Sequence, residues 1–202
     1  MLKMKFFMQQ SWLLLVSSFC FGLLIAVANT AWLPIIEQNK KDKLDNLMRG
    51  LITDANTFEV AIEQLQIPIQ KGRVEKTNVY KALDDKGKTI GFAFVAAGSG
   101  FADKIELVIA VDQKCEKFLG FKTLSCNETP GFGNKIKDKF FNSQFNNAPA
   151  GKLQLVKTGN PQEIDNEIVA ISGATVSSTA VVNMFNTYID KIKQELQKKG
   201  LF

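Results

Sequence analysis

The chain has 202 residues and a formal net charge of +5 at pH 7, and it contains no histidine. The absence of histidine excludes Ser-His and Cys-His nucleophile pairs, histidine-ligated zinc and haem with a histidine axial ligand. No basic run is interleaved with aromatic residues, so the charge does not indicate nucleic-acid binding. We therefore expect the chemistry to come from carboxylates, hydroxyls, backbone groups or a bound cofactor, with no metal site.

The first predicted element is a membrane anchor over residues 1–36. No residue of Ser11–Ile36 is charged, and about 20 apolar residues suffice to cross a hydrocarbon core of ~30 Å. Trp12 and Trp32 lie near the two ends, where aromatic rings favour the membrane interface. A signal peptide cleaved after Ala28 is the alternative, but the apolar run continues past that point, which favours retention. Positive charges flank both ends, so they leave the orientation open.

The chain after the anchor is predicted to fold as a single α+β domain with an antiparallel sheet and flanking helices. Residues 37–66 carry apolar side chains at helical spacing and are predicted to form a stalk helix, which leaves 67–202 for the domain. Alternating apolar residues predict strands over 90–96 and 105–111. The remaining predicted elements are a turn at 112–116, a strand at 117–126, a short helix at 134–145, strands at 153–156 and 168–171, and a final helix with an apolar stripe from Val181 to Leu196.

The three cysteines are predicted to be unpaired. Cys20 lies in the apolar segment. Cys115 lies in the predicted turn and Cys126 at the far end of the strand that follows it, too far apart for a disulfide bond. They therefore do not identify the redox compartment.

The segment Ser172–Thr179 precedes and opens the final predicted helix. Its small residues allow another group to approach the backbone closely, and the free N–H groups of a first helical turn favour an anion. Hydroxyl groups add hydrogen-bonding capacity. On the residues alone, the segment is either a phosphate site or an ordinary capped helix start. The candidate binding residues in it are Ser172, Gly173, Ala174, Thr175, Ser177 and Ser178.

A second segment, Asn127–Asn134, reads Asn-Glu-Thr-Pro-Gly-Phe-Gly-Asn. Pro130-Gly131 suits the centre of a type II turn, which would expose backbone groups to a flat heterocycle. A plain loop between strand and helix is the alternative. The candidate binding residues here are Glu128, Thr129 and Gly131, joined by Phe101 from the weaker glycine-containing run Gly98–Phe101.

Together, in this order and spacing, these segments resemble the FMN-binding domain family, and within it the G subunits of Rnf-type ion-translocating electron transport complexes. The resemblance covers essentially the whole chain. It implies FMN as cofactor, esterified through its phosphate to Thr175 by a flavin transferase, in a subunit that relays electrons. It also implies a single-pass protein of the bacterial inner membrane with its soluble domain on the periplasmic side, and other membrane subunits as partners.

One position departs from the family pattern. The family usually carries an acidic residue three positions before Ser172, where this chain has Val169. If the transferase needs that carboxylate, attachment would be slow unless Glu167 substitutes for it. Three alternatives remain: the C subunit of a sodium-translocating NADH:quinone reductase, an assembly or binding protein without flavin, and an enzyme acting on a phosphorylated small molecule.

Overall fold

The computed structural model describes residues 2–69, 72 and 74–202, and the side chains from residue 11 onward within those ranges. The chain divides into a unit that ends at Lys43 and a larger unit that spans Leu44–Phe202. Helix α1 spans Leu2–Arg49, and its part from Ser11 is long and apolar enough to cross a membrane. From Trp12 to Ile36 its large apolar side chains are exposed, as expected of a helix that faces lipid.

The helix predicted over 37–66 ends at Arg49, so that prediction is wrong for the residues beyond it. Gly50 follows, and glycine is a poor helix former. Strand β1, Thr57–Pro68, then occupies most of the remainder and pairs antiparallel with β2, Val74–Leu83. Pairing with a strand further along the chain thus decides the structure of this segment.

The bounds of the remaining elements are β3 Thr89–Ser99, β4 Lys104–Asp112, β5 Phe118–Cys126, a 3₁₀ turn Gly133–Lys137, α2 Lys139–Asn142, a 3₁₀ turn Ser143–Phe145, β6 Gln154–Val156, β7 Glu167–Val169 and α3 Thr175–Lys198. The main sheet is an antiparallel meander in the order β1-β2-β3-β4-β5, which confirms the predicted α+β class. A separate pair, β6 and β7, is parallel, an arrangement that the strand patterns did not predict. The helix predicted over 134–145 is broken into two 3₁₀ turns around the short helix α2.

The two faces of the sheet are buried by different means. Alternation along β3 directs Phe92 and Phe94 to the main core, where α3 packs, and Ala93 to a smaller cluster on the opposite face. Met48 and Ile52 cover that opposite face. Small side chains on this face leave room for the chain that leads into the domain.

Helix α3 confirms the predicted apolar stripe, because every residue of that stripe is buried in the main core. The Tyr188 hydroxyl accepts a hydrogen bond of 3.0 Å from the Ala97 N–H group, which fixes the helix against β3. Nearer the helix start, a Cβ atom on Gly98 would lie 2.9 Å from Met184 Cγ, so glycine permits a close approach of strand and helix. This packing determines where the first turn of α3 lies.

The described cysteines are unpaired, as predicted. Burial, reinforced by the charge of Asp112, raises the pKa of Cys115 to about 12. A thiol with so high a pKa is a poor nucleophile and a poor redox group at neutral pH.

Candidate functional site

Three segments meet at one end of the main sheet. Antiparallel pairing places the end of β3, the start of β4 and the end of β5 together, since Ser99 pairs with Lys104 and Ile105 pairs with Cys126. The turn after β3 and the loop after β5 therefore emerge side by side. Helix α3 crosses β3 at Met184, and about 13 Å of helix separates that residue from Thr175, which brings the helix start to the same end.

The loop after β5 forms the predicted tight turn. The Phe132 N–H group donates to the Thr129 carbonyl at 3.2 Å, and Gly131 has a φ of +78°, the conformation that the third position of a type II turn requires. The Gly131 N–H group donates to Asn134 Oδ1 at 2.9 Å, which anchors the turn from the other side. The loop thereby projects the Phe132 side chain, which is 54% exposed.

Glu128 is buried where the three segments meet, and both carboxylate oxygens accept hydrogen bonds from the protein. Oε1 accepts from the N–H groups of Ala102 at 3.0 Å and Asp103 at 3.3 Å, and Oε2 accepts from the Ser177 hydroxyl at 2.6 Å. Burial acts to raise the pKa of Glu128, but these hydrogen bonds outweigh it and hold the pKa below its usual range. The carboxylate is therefore ionised at neutral pH.

The sequence left open whether α3 begins at an ordinary N-cap, and the structure shows that it does not. Ala174 occupies the N-cap position and no side chain caps it, so the first N–H groups of the helix are available to an anion. The hydroxyls of Ser177 and Ser178 are instead used inside the protein, on Glu128 and on the Ala174 carbonyl. The Thr175 side chain is exposed, and its hydroxyl makes no hydrogen bond to any residue that the structure describes.

A pocket of about 470 Å³ lies between the three segments, within the size range of small-molecule sites. The lining residues are Phe101, Glu128, Thr129, Phe132, Gly133, Gly173, Ala174, Thr175, Val176 and Ser177. Seven of the ten predicted binding residues are thus among them. Ser172, Gly131 and Ser178 are outside the lining, Gly131 because it shapes the turn and Ser178 because it is buried under the helix start.

Sequence reasoning missed Phe132, Gly133 and Val176 as lining residues. A Cβ atom on Gly173 would lie 3.3 Å from the Phe132 ring, so this ring crosses directly over the segment before α3. Phe132 stands between the two glycines of the predicted loop, and that position was the available signal. Val176 carried no such signal, because only its place on the helix shows that it faces the pocket.

Val169, which replaces the usual acidic residue, does not line the pocket. Its backbone N–H donates to Gln144 Oε1 at 2.7 Å and its carbonyl accepts from Gln144 Nε2 at 3.2 Å. Its Cγ2 atom lies 3.1 Å from the position of a Cβ atom on Gly159. A side chain at this position therefore points toward the loop after β6 and away from the pocket.

Comparison with known proteins finds a family match over the residues that hold this pocket. Residues 100–190 match the FMN-binding domain family. The match spans all three segments of the pocket, and the residues present fit the cofactor: exposed aromatic side chains for a flat ring, and an uncapped helix start for a phosphate.

Two relatives and one solved structure are similar over larger parts of the chain. The G subunit of the proton-translocating ferredoxin:NAD(+) oxidoreductase complex from Clostridium ljungdahlii is 27% identical over 89% of this chain and 88% of its own. The G subunit of the ion-translocating oxidoreductase complex from Methanosarcina acetivorans is 30% identical over 57% of this chain and 58% of its own. The crystal structure of NqrC from Shewanella oneidensis, 22% identical, has the same fold, with a TM-score of 0.57 over 72% of this chain and 73% of that one.

Proposed function

We propose that this protein is the G subunit of an Rnf-type ion-translocating electron transport complex and relays electrons through FMN. The names of its relatives support the complex, and the pocket supports the cofactor. The flavin supplies the redox chemistry, while the chain binds it, orients it and sets its surroundings. Among the residues that the structure describes, no cluster of side chains could hold a metal ion, and the sequence contains no histidine.

The FMN is joined through its phosphate to Thr175. The observation that carries this proposal is the position of the Thr175 hydroxyl, which is exposed at the pocket, has no hydrogen-bond partner among the described residues and lies at the uncapped start of α3. A phosphate attached there would accept hydrogen bonds from the free N–H groups of the first turn. In the attachment step Thr175 Oγ1 forms a bond to phosphorus and loses its proton, while the phosphoanhydride bond of an activated flavin nucleotide held by the transferase breaks and its leaving group departs with that proton. The protein therefore gains the mass of FMN less one water.

Helix α1 holds the domain at the bacterial inner membrane, on the periplasmic side. Its uncharged, exposed segment is long enough for a single crossing. Tethering raises the effective concentration of the flavin beside the other membrane subunits, which are its redox partners. Maturation requires a flavin transferase on the same side of the membrane.

Intact-mass measurement of membrane-extracted protein, made together with its flavin transferase, tests attachment and anchoring at once. We expect the mass of the full chain from Met1 plus FMN less one water. Thr175→Ala should remove the added mass and the flavin fluorescence of the denatured protein. Thr179→Ala is the matched control, because this threonine is exposed one turn later on the same helix.

Two results would contradict the proposal. Wild-type protein that gains no mass despite an active transferase would favour an assembly or binding protein without covalent flavin. A mature chain that begins at Asn29 would show that the apolar segment is a cleaved signal peptide. If attachment is slow but complete, we would attribute the slow rate to Val169. Because this residue lies outside the pocket, it would act on recognition by the transferase.

The C subunit of a sodium-translocating NADH:quinone reductase is the second candidate, and the fold of NqrC is its support. The relative from Clostridium ljungdahlii is 27% identical over 89% of this chain, whereas NqrC is 22% identical over 72% of it. This difference supports the G subunit as the first candidate. Purification of the native complex distinguishes the two candidates, because the partners would be those of one complex or of the other.

A further inference from the structure

The sequence predicts that Glu128 contacts the cofactor, but its carboxylate is already occupied by the protein. Its side chain is only 6% exposed, and both oxygens accept hydrogen bonds from residues 25 to 49 positions away in the sequence. Burial of a carboxylate is costly unless it is fully hydrogen-bonded. An arrangement of this kind indicates that the Glu128 side chain has a role inside the protein, where its oxygens hold distant segments together.

Two glycines beside the Glu128 carboxylate leave the space that it occupies. A Cβ atom on Gly100 would collide with Oε1, and a Cβ atom on Gly133 would collide with Oε2. These two glycines belong to the turn after β3 and to the loop after β5, so two of the three segments of the pocket leave space for one side chain. The third segment supplies the hydroxyl of Ser177.

We propose that Glu128 is the positioning residue of the flavin site. Its carboxylate joins the turn that carries Phe101 to the first turn of α3, and so fixes the aromatic wall of the pocket relative to Thr175. Phe101 follows Gly100 directly and is 72% exposed, so little other packing holds its side chain in place. Thr175 lies two residues before Ser177 on the helix.

A second consequence follows from the charge. The carboxylate is ionised and lines the pocket, so a fixed negative charge lies close to any flavin bound there. Reduction adds negative charge to a flavin, and a nearby carboxylate disfavours it. Removing the charge while keeping the shape should therefore make the flavin easier to reduce.

Hydrogen exchange followed by mass spectrometry, on the full chain in detergent, tests the positioning role without flavin. Glu128→Ala should raise the exchange rate of the peptide that contains Ala102 and Asp103 by about tenfold or more, the loss expected for hydrogen bonds to a charged group. Ser177→Ala leaves the carboxylate in place but cuts its link to α3. It should raise exchange at Ala102 as well, because the released carboxylate no longer holds the turn firmly. Thr179→Ala should leave that peptide unchanged.

The midpoint potential of the bound flavin, compared between two variants, separates the charge of Glu128 from its hydrogen bonds. Glu128→Gln keeps the shape and an acceptor oxygen but removes the charge, so we expect a more positive potential with exchange at Ala102 close to that of the wild type. Ser177→Ala keeps the charge, so its potential should change less than that of Glu128→Gln.

This inference rests on the proposed function only where an attached flavin is measured. Failure of flavin attachment would leave the exchange measurement decisive, since that measurement uses protein made without the transferase. Unchanged exchange at Ala102 in folded Glu128→Ala would overturn the proposal. If Glu128→Ala does not fold, unchanged exchange at Ala102 in Ser177→Ala would overturn it instead.

Discussion

Phenylalanine occupies two opposite environments in this protein. In the main core the rings of Phe118, Phe121 and Phe145 all contact the ring of Phe185, with centroids 4.5–5.7 Å apart, and all four are fully buried. At the pocket, Phe101 and Phe132 are 72% and 54% exposed. The core rings stabilise the fold through burial and edge contacts. The pocket rings gain little from folding, and we expect them to contribute to the binding of a ligand instead.

The largest expected effect is in the core. Phe185→Ala removes the ring that three other phenylalanines contact, and we expect a loss of about 3–5 kcal/mol in the free energy of unfolding. Chemical denaturation of the domain measures it. A loss below about 1 kcal/mol would show that the cluster repacks around the cavity, contrary to the fully buried packing that the structure shows.

A smaller effect is expected in the turn that presents Phe132. Gly131→Val places a β-branched residue at a φ of +78°, although a Cβ atom there has no heavy atom within 4 Å. The cost is therefore conformational, of about 1–3 kcal/mol, and the flavin spectrum should change while the ester to Thr175 remains. Gly131→Asn is the matched control, because asparagine tolerates positive φ. A folded valine variant with an unchanged flavin spectrum and potential would reduce this loop to a connector.

The smallest effect on stability is expected at the pocket rings. Phe101→Ala and Phe132→Ala should each change the free energy of unfolding by less than about 0.5 kcal/mol, as is usual for exposed positions. Both should nevertheless alter the absorbance and circular dichroism of the bound flavin, because the rings form the wall of the pocket. If either variant destabilised the apoprotein as strongly as Phe185→Ala, the distinction between core and pocket phenylalanines would fail.

Local sequence signals determined those elements that carry their own periodicity or turn chemistry. The stripe of α3, the alternation along β3 and β4, and the turn at Pro130-Gly131 are all predicted from neighbouring residues and are present in the structure. In each case the pattern that selects the structure spans a few residues or a single element. The uncharged run of α1 is a signal of the same kind.

Contacts between distant residues decided the rest. Thr57–Pro68 became a strand because Val74–Leu83 pairs with it, although the preceding residues are helical. From the sequence, Glu128 and Ser177 are separate candidate ligands, and only the tertiary structure joins them, across 49 positions, by a hydrogen bond inside the protein. The sequence by itself thus offered candidate residues in all three segments that line the pocket and predicted the threonine at the start of the final helix as the attachment site. Which side chains face the pocket and which hold it together depended on the packing of α3 on the sheet, because a side chain's partners are fixed only when distant segments meet.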